Sequence, residues 1–260
     1  MFILISNDDG ITAPGLSALV RAVRGMGEVA VAAPDSPQSA MAHSITLHQP
    51  LTVRRVTLPD ADGIEGMAID GRPADCVRLA VRNLLPRKPD VVLSGINAGA
   101  NVGVNVFYSG TVAAAAEGAM FGLPAVAFSL SLENGRIDPA ALQKAGEHCR
   151  AVLDRLLRRG LAPGELVNVN IPALHKGAPR GVRVCEQSDA EVQDRYVLEE
   201  SSAAGDRYRL GDDYDFHEPH HASDVVLLRE GYITVTPLRI SLTDRDKLRD
   251  FPEEWLTHDS

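Results

Sequence analysis

An apolar run from Phe2 to Ile5 passes directly into Ser6, Asn7, Asp8, Asp9 and Gly10. Adjacent carboxylates repel each other, and neither is buried cheaply unless a cation or hydrogen-bond donors offset its charge. A plain polar turn would also use Asn, Asp and Gly, so the pair gains meaning from what stands elsewhere. The stretch "PDSPQSAMAHSIT" offers Ser36, Ser39, His43 and Ser44, and "SGINAGANVGVNVFYSGT" is a long Gly/Asn-rich loop that ends before an alanine-rich segment. Two carboxylates, a hydroxyl and an Asn amide oxygen make an all-oxygen set suited to a hard cation such as Mg²⁺ or Mn²⁺. In "YSGT", Ser109 or Thr111 is placed to cap the following helix, where free N–H groups and the helix dipole attract an anion such as phosphate. His43 beside this set reads either as a phosphate contact or general acid, or as a structural hydrogen bond. His217, His220 and His221 read as solvated loop residues.

These loops need a scaffold that brings them together. "FILIS", "EVAVAAP", "PDVVLSG", "PAVAFSL" and "LVNVNIP" are short and almost continuously apolar, as buried parallel strands are. Between them lie helix-like segments: Leu16–Met26, "PADCVRLAVRNLL", "TVAAAAEGAMFG" and Pro139–Arg159. The alternation predicts an α/β fold, Rossmann-like, with a mostly parallel sheet and flanking helices. In such sheets ligands bind beyond the carboxyl ends of the strands, where the three loops begin. We expect one unit over residues 1–260: an α/β core over 1–172, then a β-rich extension from about 173 with hairpins that contact another subunit. "GYITVTPL" is its last strand, and a charged helix from Thr243 to Trp255 follows.

The 260 residues are 45% hydrophobic and 23% charged, an ordinary globular balance. No apolar stretch approaches the length of a membrane span, and the N-terminal run lacks the flanks of a signal peptide, so the expected location is the cytoplasm with no membrane partner. A formal charge of −9 argues against duplex nucleic acid as a partner. Cys76, Cys149 and Cys185 are odd in number and widely spaced, and read as core thiols. P-loop, dinucleotide-fingerprint, zinc-protease and serine-hydrolase motifs are absent from the sequence.

The blocks "ISNDDGITAPG", "APDSPQSAMAHSIT", "PDVVLSGINAGANVGVNVFYSGTVAAAAEG", "NVNIP" and "GYITVTPL" together resemble the SurE (survival protein E) family of metal-dependent nucleotidases, over Met1 to about Leu248. The resemblance implies a Rossmann-like core with an extended β-hairpin and a swapped C-terminal region, and a homodimer or homotetramer. It also implies one divalent cation per subunit and phosphate removal from 5′- and 3′-nucleoside monophosphates. By position, the family's metal ligands fall on Asp8, Asp9, Ser39 and Asn97, and its phosphate-binding elements on Asn101, Ser109, Gly110 and Thr111. The sequence departs from the family at Ala40, usually Gly, and at Arg72, usually Thr.

The expected chemistry is in-line attack of a metal-activated water on phosphorus, with Asp8 or Asp9 as the catalytic carboxylates and the choice of base between them open. The sequence leaves activity on polyphosphate open. An alternative is a phosphatase of the haloacid dehalogenase type with a covalent Asp, which would need a second Asp two residues on; Gly10 and Ile11 stand there instead. Another is a non-catalytic nucleotide- or metal-binding module.

Overall fold

The computed structural model describes residues 1–132, 138–211 and 215–251. Its strands are β1 (Phe2–Ser6), β2 (Glu28–Pro34), β3 (Val53–Thr57), β4 (Glu65–Ile69), β5 (Val91–Ala98), β6 (Ala125–Leu130), β7 (Leu166–Ile171), β8 (Val182–Val184), β9 (Val192–Gln193), β10 (Tyr196–Ser202), β11 (Gly205–Leu210), β12 (Asp215–Phe216) and β13 (Ile233–Leu238). The helices are α1 (Pro14–Val23), α2 (Pro73–Leu79, continued as a π-turn over Ala80–Leu84), α3 (Gly110–Met120), α4 (Pro139–Arg159) and α5 (Asp224–Arg229).

Among these residues nine strands form one sheet in the order β3-β4-β2-β1-β5-β6-β7-β13-β8. From β4 to β7 all neighbours are parallel; β3 on β4 and β13 on β7 run antiparallel. Alternation along β1 sends Ile3 and Ile5 to the face covered by α1 and α4, and Leu4 to the face covered by α2 and α3. Both faces are therefore apolar cores, which is why the strands read as unbroken hydrophobic runs. The chain leaves β1 toward β2 on one side, while β5 lies on the other. The crevice of this α/β sheet opens between β1 and β5, at their carboxyl ends.

Several expectations change in detail. The residues after 172 form a hairpin, β10–β11, as expected, but β8 and β13 return to the main sheet beside β7. The expected helix from Thr243 is only a 3₁₀ turn over Lys247–Asp250 among the described residues, with Leu248 and Phe251 exposed. Its described apolar residues are few and exposed, and a short exposed helix is not stable in water. Trp255 and Leu256 lie outside the described residues. Cys76 and Cys149 are core thiols, whereas Cys185 is only half-buried, with Sγ 3.5 Å from Thr236 Oγ1.

Candidate active site

Asp8 and Asp9 stand just past β1, in a turn closed by Asn7 Nδ2 donating to the Gly10 carbonyl at 2.9 Å. The loop after β2 is drawn over them: Ile11 N–H donates to the Pro34 carbonyl at 2.8 Å, and Gln38 N–H donates to the Asp8 carbonyl at 2.7 Å. Ser39, the next residue, has its side chain exposed. On the other flank, Ala98 N–H at the end of β5 donates to Asp9 Oδ2 at 3.2 Å. Its neighbour Asn97 gives its amide Nδ2 to the Gly99 carbonyl at 2.7 Å, so Oδ1 is the atom it could offer a cation. The loops after β1 and β2 and the end of β5 thus meet at the β1–β5 crevice, tied together by the Gln38 and Ala98 bonds.

Asp8 is clasped from α3. The Thr111 hydroxyl donates to Asp8 Oδ1, and Gly110 packs so tightly that a Cβ there would lie 2.7 Å from Asp8 Cβ. Ser109, not Thr111, is the N-cap: its Oγ accepts from Val112 N–H at 3.1 Å. Asn101 turns inward. Its Nδ2 donates to Ser129 Oγ at 2.9 Å, its N–H to Asn170 Oδ1 at 2.8 Å, and its carbonyl accepts from Asn168 and Asn170 at 2.8 and 2.9 Å. It anchors the loop to β6 and β7.

Burial pushes the Asp8 carboxyl up to about 6, helped by the charge of Asp9 and opposed by the Thr111 hydrogen bond. Burial also raises Asp9 from the ordinary carboxylate range, against the Ala98 N–H bond. Among the described residues no Arg, Lys or His side chain hydrogen-bonds or ion-pairs with either. Two mostly buried carboxylates, a hydroxyl and an amide oxygen with no protein cation beside them fit a divalent cation by charge and by oxygen chemistry. No group of three or more His, Cys, Asp or Glu gathers as a soft or carboxylate-rich metal cluster among the described residues. His217 and His221 are exposed and His220 partly so, as expected of loop histidines.

Two features bear on the departures from the family pattern. Ala40 has φ +56°, in the left-handed region that favours glycine, so an alanine here carries backbone strain. Arg72 stands at the start of α2, its Nη1 3.5 Å from Met41 Sδ, beside the same loop. His43 is a structural hydrogen bond: Nε2 lies 2.9 Å from Oε2 of buried Glu117, whose Oε1 accepts from Arg78 at 2.6 Å. Burial would raise Glu117, but these two partners outweigh it and hold its carboxyl below the usual range. Sequence reasoning passed over Glu117, Ser129, Asn168 and Asn170. The only available signal for the last two was their i, i+2 spacing in "NVNIP", which puts both on one face of a strand.

Comparison with known proteins places the chain in one family. A 5′-nucleotidase SurE 1 from Thermus thermophilus is 42% identical over 94% of this chain and 93% of its own length. A 5′-nucleotidase SurE from Christiangramia forsetii is 36% identical over 99% and 97%. The crystal structure of the SurE protein from Aquifex aeolicus superposes with a TM-score of 0.82 at 32% identity, covering 99% of this chain and all of that one. The family model described as "Survival protein SurE" matches residues 3–194, the span that includes every site residue described above, and by that match and these relatives the chain belongs to the SurE family.

Proposed function

We propose that the protein is a divalent-metal-dependent phosphomonoesterase that releases phosphate from 5′-nucleoside monophosphates, and from 3′-nucleoside monophosphates as well. The observation that carries this reading is the uncompensated Asp8–Asp9 pair set against the N-terminus of α3. The names of the relatives, 5′-nucleotidases, support the 5′-monophosphate class, and the 3′-monophosphates come from the family resemblance alone.

Asp8, Asp9, Asn97 and Ser39 would hold Mg²⁺ or Mn²⁺, which supplies positive charge for a phosphate oxygen and lowers the pKa of a water. The N-terminal end of α3, with Ser109 as its cap, presents the positive end of the helix dipole to the phosphate. Thr111 keeps Asp8 in one orientation. Asp9 is less buried, with one oxygen tied to Ala98, and its other oxygen serves as acceptor for the proton of the attacking water. Water oxygen bonds to phosphorus as the bond to the nucleoside oxygen breaks, and that oxygen leaves with a proton from solvent.

Assembly as a homodimer or homotetramer belongs to the same reading. A lone two-stranded hairpin is marginal in water, and β10–β11 exposes Tyr196, Val197, Leu198, Tyr208 and Leu210, a surface suited to a second copy. No described helix is long and apolar enough to cross a membrane.

The test is phosphate release from AMP, GMP and their 3′ isomers with Mn²⁺, with Mg²⁺ and with EDTA. Metal-dependent release that outpaces any cleavage of duplex DNA is expected. Metal binding without turnover would make the protein a binding module, and a trapped phosphoryl-enzyme would replace water attack by a covalent Asp.

A further inference from the structure

The loop from Gly99 to Ser109 leads into α3, yet its Gly, Ala and Asn residues have little local preference for one conformation. Its first half is held by the Asn101 network. Its second half is held from the far end of the chain. Gly103 N–H donates to Asp224 Oδ2 at 3.0 Å, and the Gly103 carbonyl accepts from Gln187 Nε2 at 3.0 Å, across sequence separations of 121 and 84 residues. Phe216 lies directly on Gly103, where a Cβ would stand 2.6 Å from Cε1 of the ring. Val102, Phe216, Val225 and Leu228 form a small apolar cluster of their own around this contact.

Asp224 is fully buried, and its carboxylate bonds to backbone amides rather than to a basic side chain. Oδ2 takes the Gly103 amide, and Oδ1 takes those of Ser188 and Val225, both at 2.9 Å. Burying a carboxylate without an ion pair is costly, and among the described residues the one basic group acting on it is His220, through its charge; a core that needed only packing would carry an apolar residue here. A carboxylate alone accepts at both oxygens; an Asn would turn an NH₂ donor toward one of the three amides. From Gly103 the chain runs as a 3₁₀ turn to Phe107, with Asn105 N–H on the Val102 carbonyl at 3.2 Å and Tyr108 N–H on the Asn105 carbonyl at 3.0 Å. That turn ends at Ser109, the cap of α3. A shift at Gly103 therefore reaches Gly110 and Thr111, which touch Asp8.

We propose that Asp224, assisted by Gln187, is a positioning residue: by gripping Gly103 it sets where the N-terminus of α3 meets the phosphate, so the extension beyond the α/β core governs the geometry of the active site. The proposal rests on the phosphatase reading for its kinetic consequence, but the grip itself is measurable without turnover.

The experiment compares wild type, Asp224→Asn and Gln187→Ala by three readouts taken well below their melting temperatures: hydrogen exchange of residues 99–109, Mn²⁺ titration, and steady-state kinetics with AMP. For Asp224→Asn we expect faster exchange in 99–109, a KM about tenfold higher with kcat changed by less than about threefold, and unaltered Mn²⁺ affinity, since its ligands are elsewhere. Gln187→Ala removes a neutral bond and should move the same readouts in the same direction by a smaller factor, which decides the matter if Asp224→Asn does not fold. Unchanged exchange together with unchanged KM in the folded variants would overturn the proposal. If wild type releases no phosphate, the phosphatase reading falls, while the exchange comparison still decides whether Asp224 holds the loop.

Discussion

Gly110→Ala should separate stability from catalysis on a single helix. The added Cβ would lie 2.7 Å from Asp8 Cβ, 2.9 Å from Asp8 Oδ2 and 3.1 Å from Pro73 Cγ. Carbon atoms pack best at about 3.5–4.0 Å, so Asp8 or the start of α3 must move by roughly 1 Å. Overpacking of this kind costs about 1–3 kcal/mol, which in a chain of this length lowers Tm by roughly 2–4 °C for each kcal/mol. A misplacement of about 1 Å in a reacting group costs on the order of 10²-fold in rate. Gly118→Ala is the matched control. Its Cβ would lie 2.7 Å from Val92 Cβ and Cγ2, an equal overlap on the same helix but against the sheet core. Thermal melts should show comparable losses for the two variants, whereas phosphate release at 25 °C should collapse only for Gly110→Ala. If Gly110→Ala keeps wild-type turnover, or if Gly118→Ala loses as much, the contact between α3 and Asp8 does not set the chemistry.

Asp9→Asn should leave the melting temperature in EDTA nearly unchanged and abolish metal-dependent turnover, with Mn²⁺ affinity by calorimetry down at least about tenfold because a charged ligand becomes neutral; wild-type affinity would remove Asp9 from the metal set. Ala40→Gly relieves a left-handed backbone at φ +56° and should stabilise the protein by up to about 1 kcal/mol, read as a small rise in Tm; a fall would show that the loop gains nothing from glycine. In EDTA, stability should depend on Asp8. Its carboxyl is raised in the fold from 3.8 to about 6, chiefly by burial, so the folded protein holds that proton more tightly than the unfolded chain. Its stabilising contribution is complete below pH about 4 and is lost as pH rises to about 6, a change of about 3 kcal/mol. Melts in EDTA should therefore fall across that window, Asp8→Asn should flatten the step, and Mn²⁺ should restore stability above it; a wild-type profile as flat as that of Asp8→Asn excludes the buried carboxylate as its cause.

What was legible in the sequence followed from signals that act over a few residues. The bounds of α4 are those read from Pro139 to Arg159, because Asp138 caps the first turn and Gly160 takes a positive φ just past the last. The central strands were legible because burial on two faces removes polar residues from the run. β3 was not, since Arg54 and Arg55 are exposed on a strand at the sheet edge and break the apolar pattern. At the site, residue types past strand ends pointed to the loops after β1, β2 and β5, because the sheet topology dictates where strand ends meet; the choice of Ser39 and Asn97 within them came from the family resemblance. Side-chain direction was another matter. Ser109 and Thr111 are chemically alike and two residues apart, yet one caps α3 and the other turns to Asp8, 103 residues earlier, a distinction made by the close approach of Gly110 to Asp8.

Asn101 turns inward for the same reason: its partners Ser129 and Asn170 lie on strands 28 and 69 residues downstream. A loop rich in Gly and Asn carries little local instruction. Its geometry must then be imposed by remote residues, and here those are buried polar groups whose bonds are directional and few. A carboxylate such as Asp224 specifies one position of Gly103, where an apolar contact would tolerate a range. The segments hardest to read from local pattern therefore include those on which the precision of the site depends, and substitutions in them should alter kinetics while the hydrophobic core, and with it the fold, stays intact.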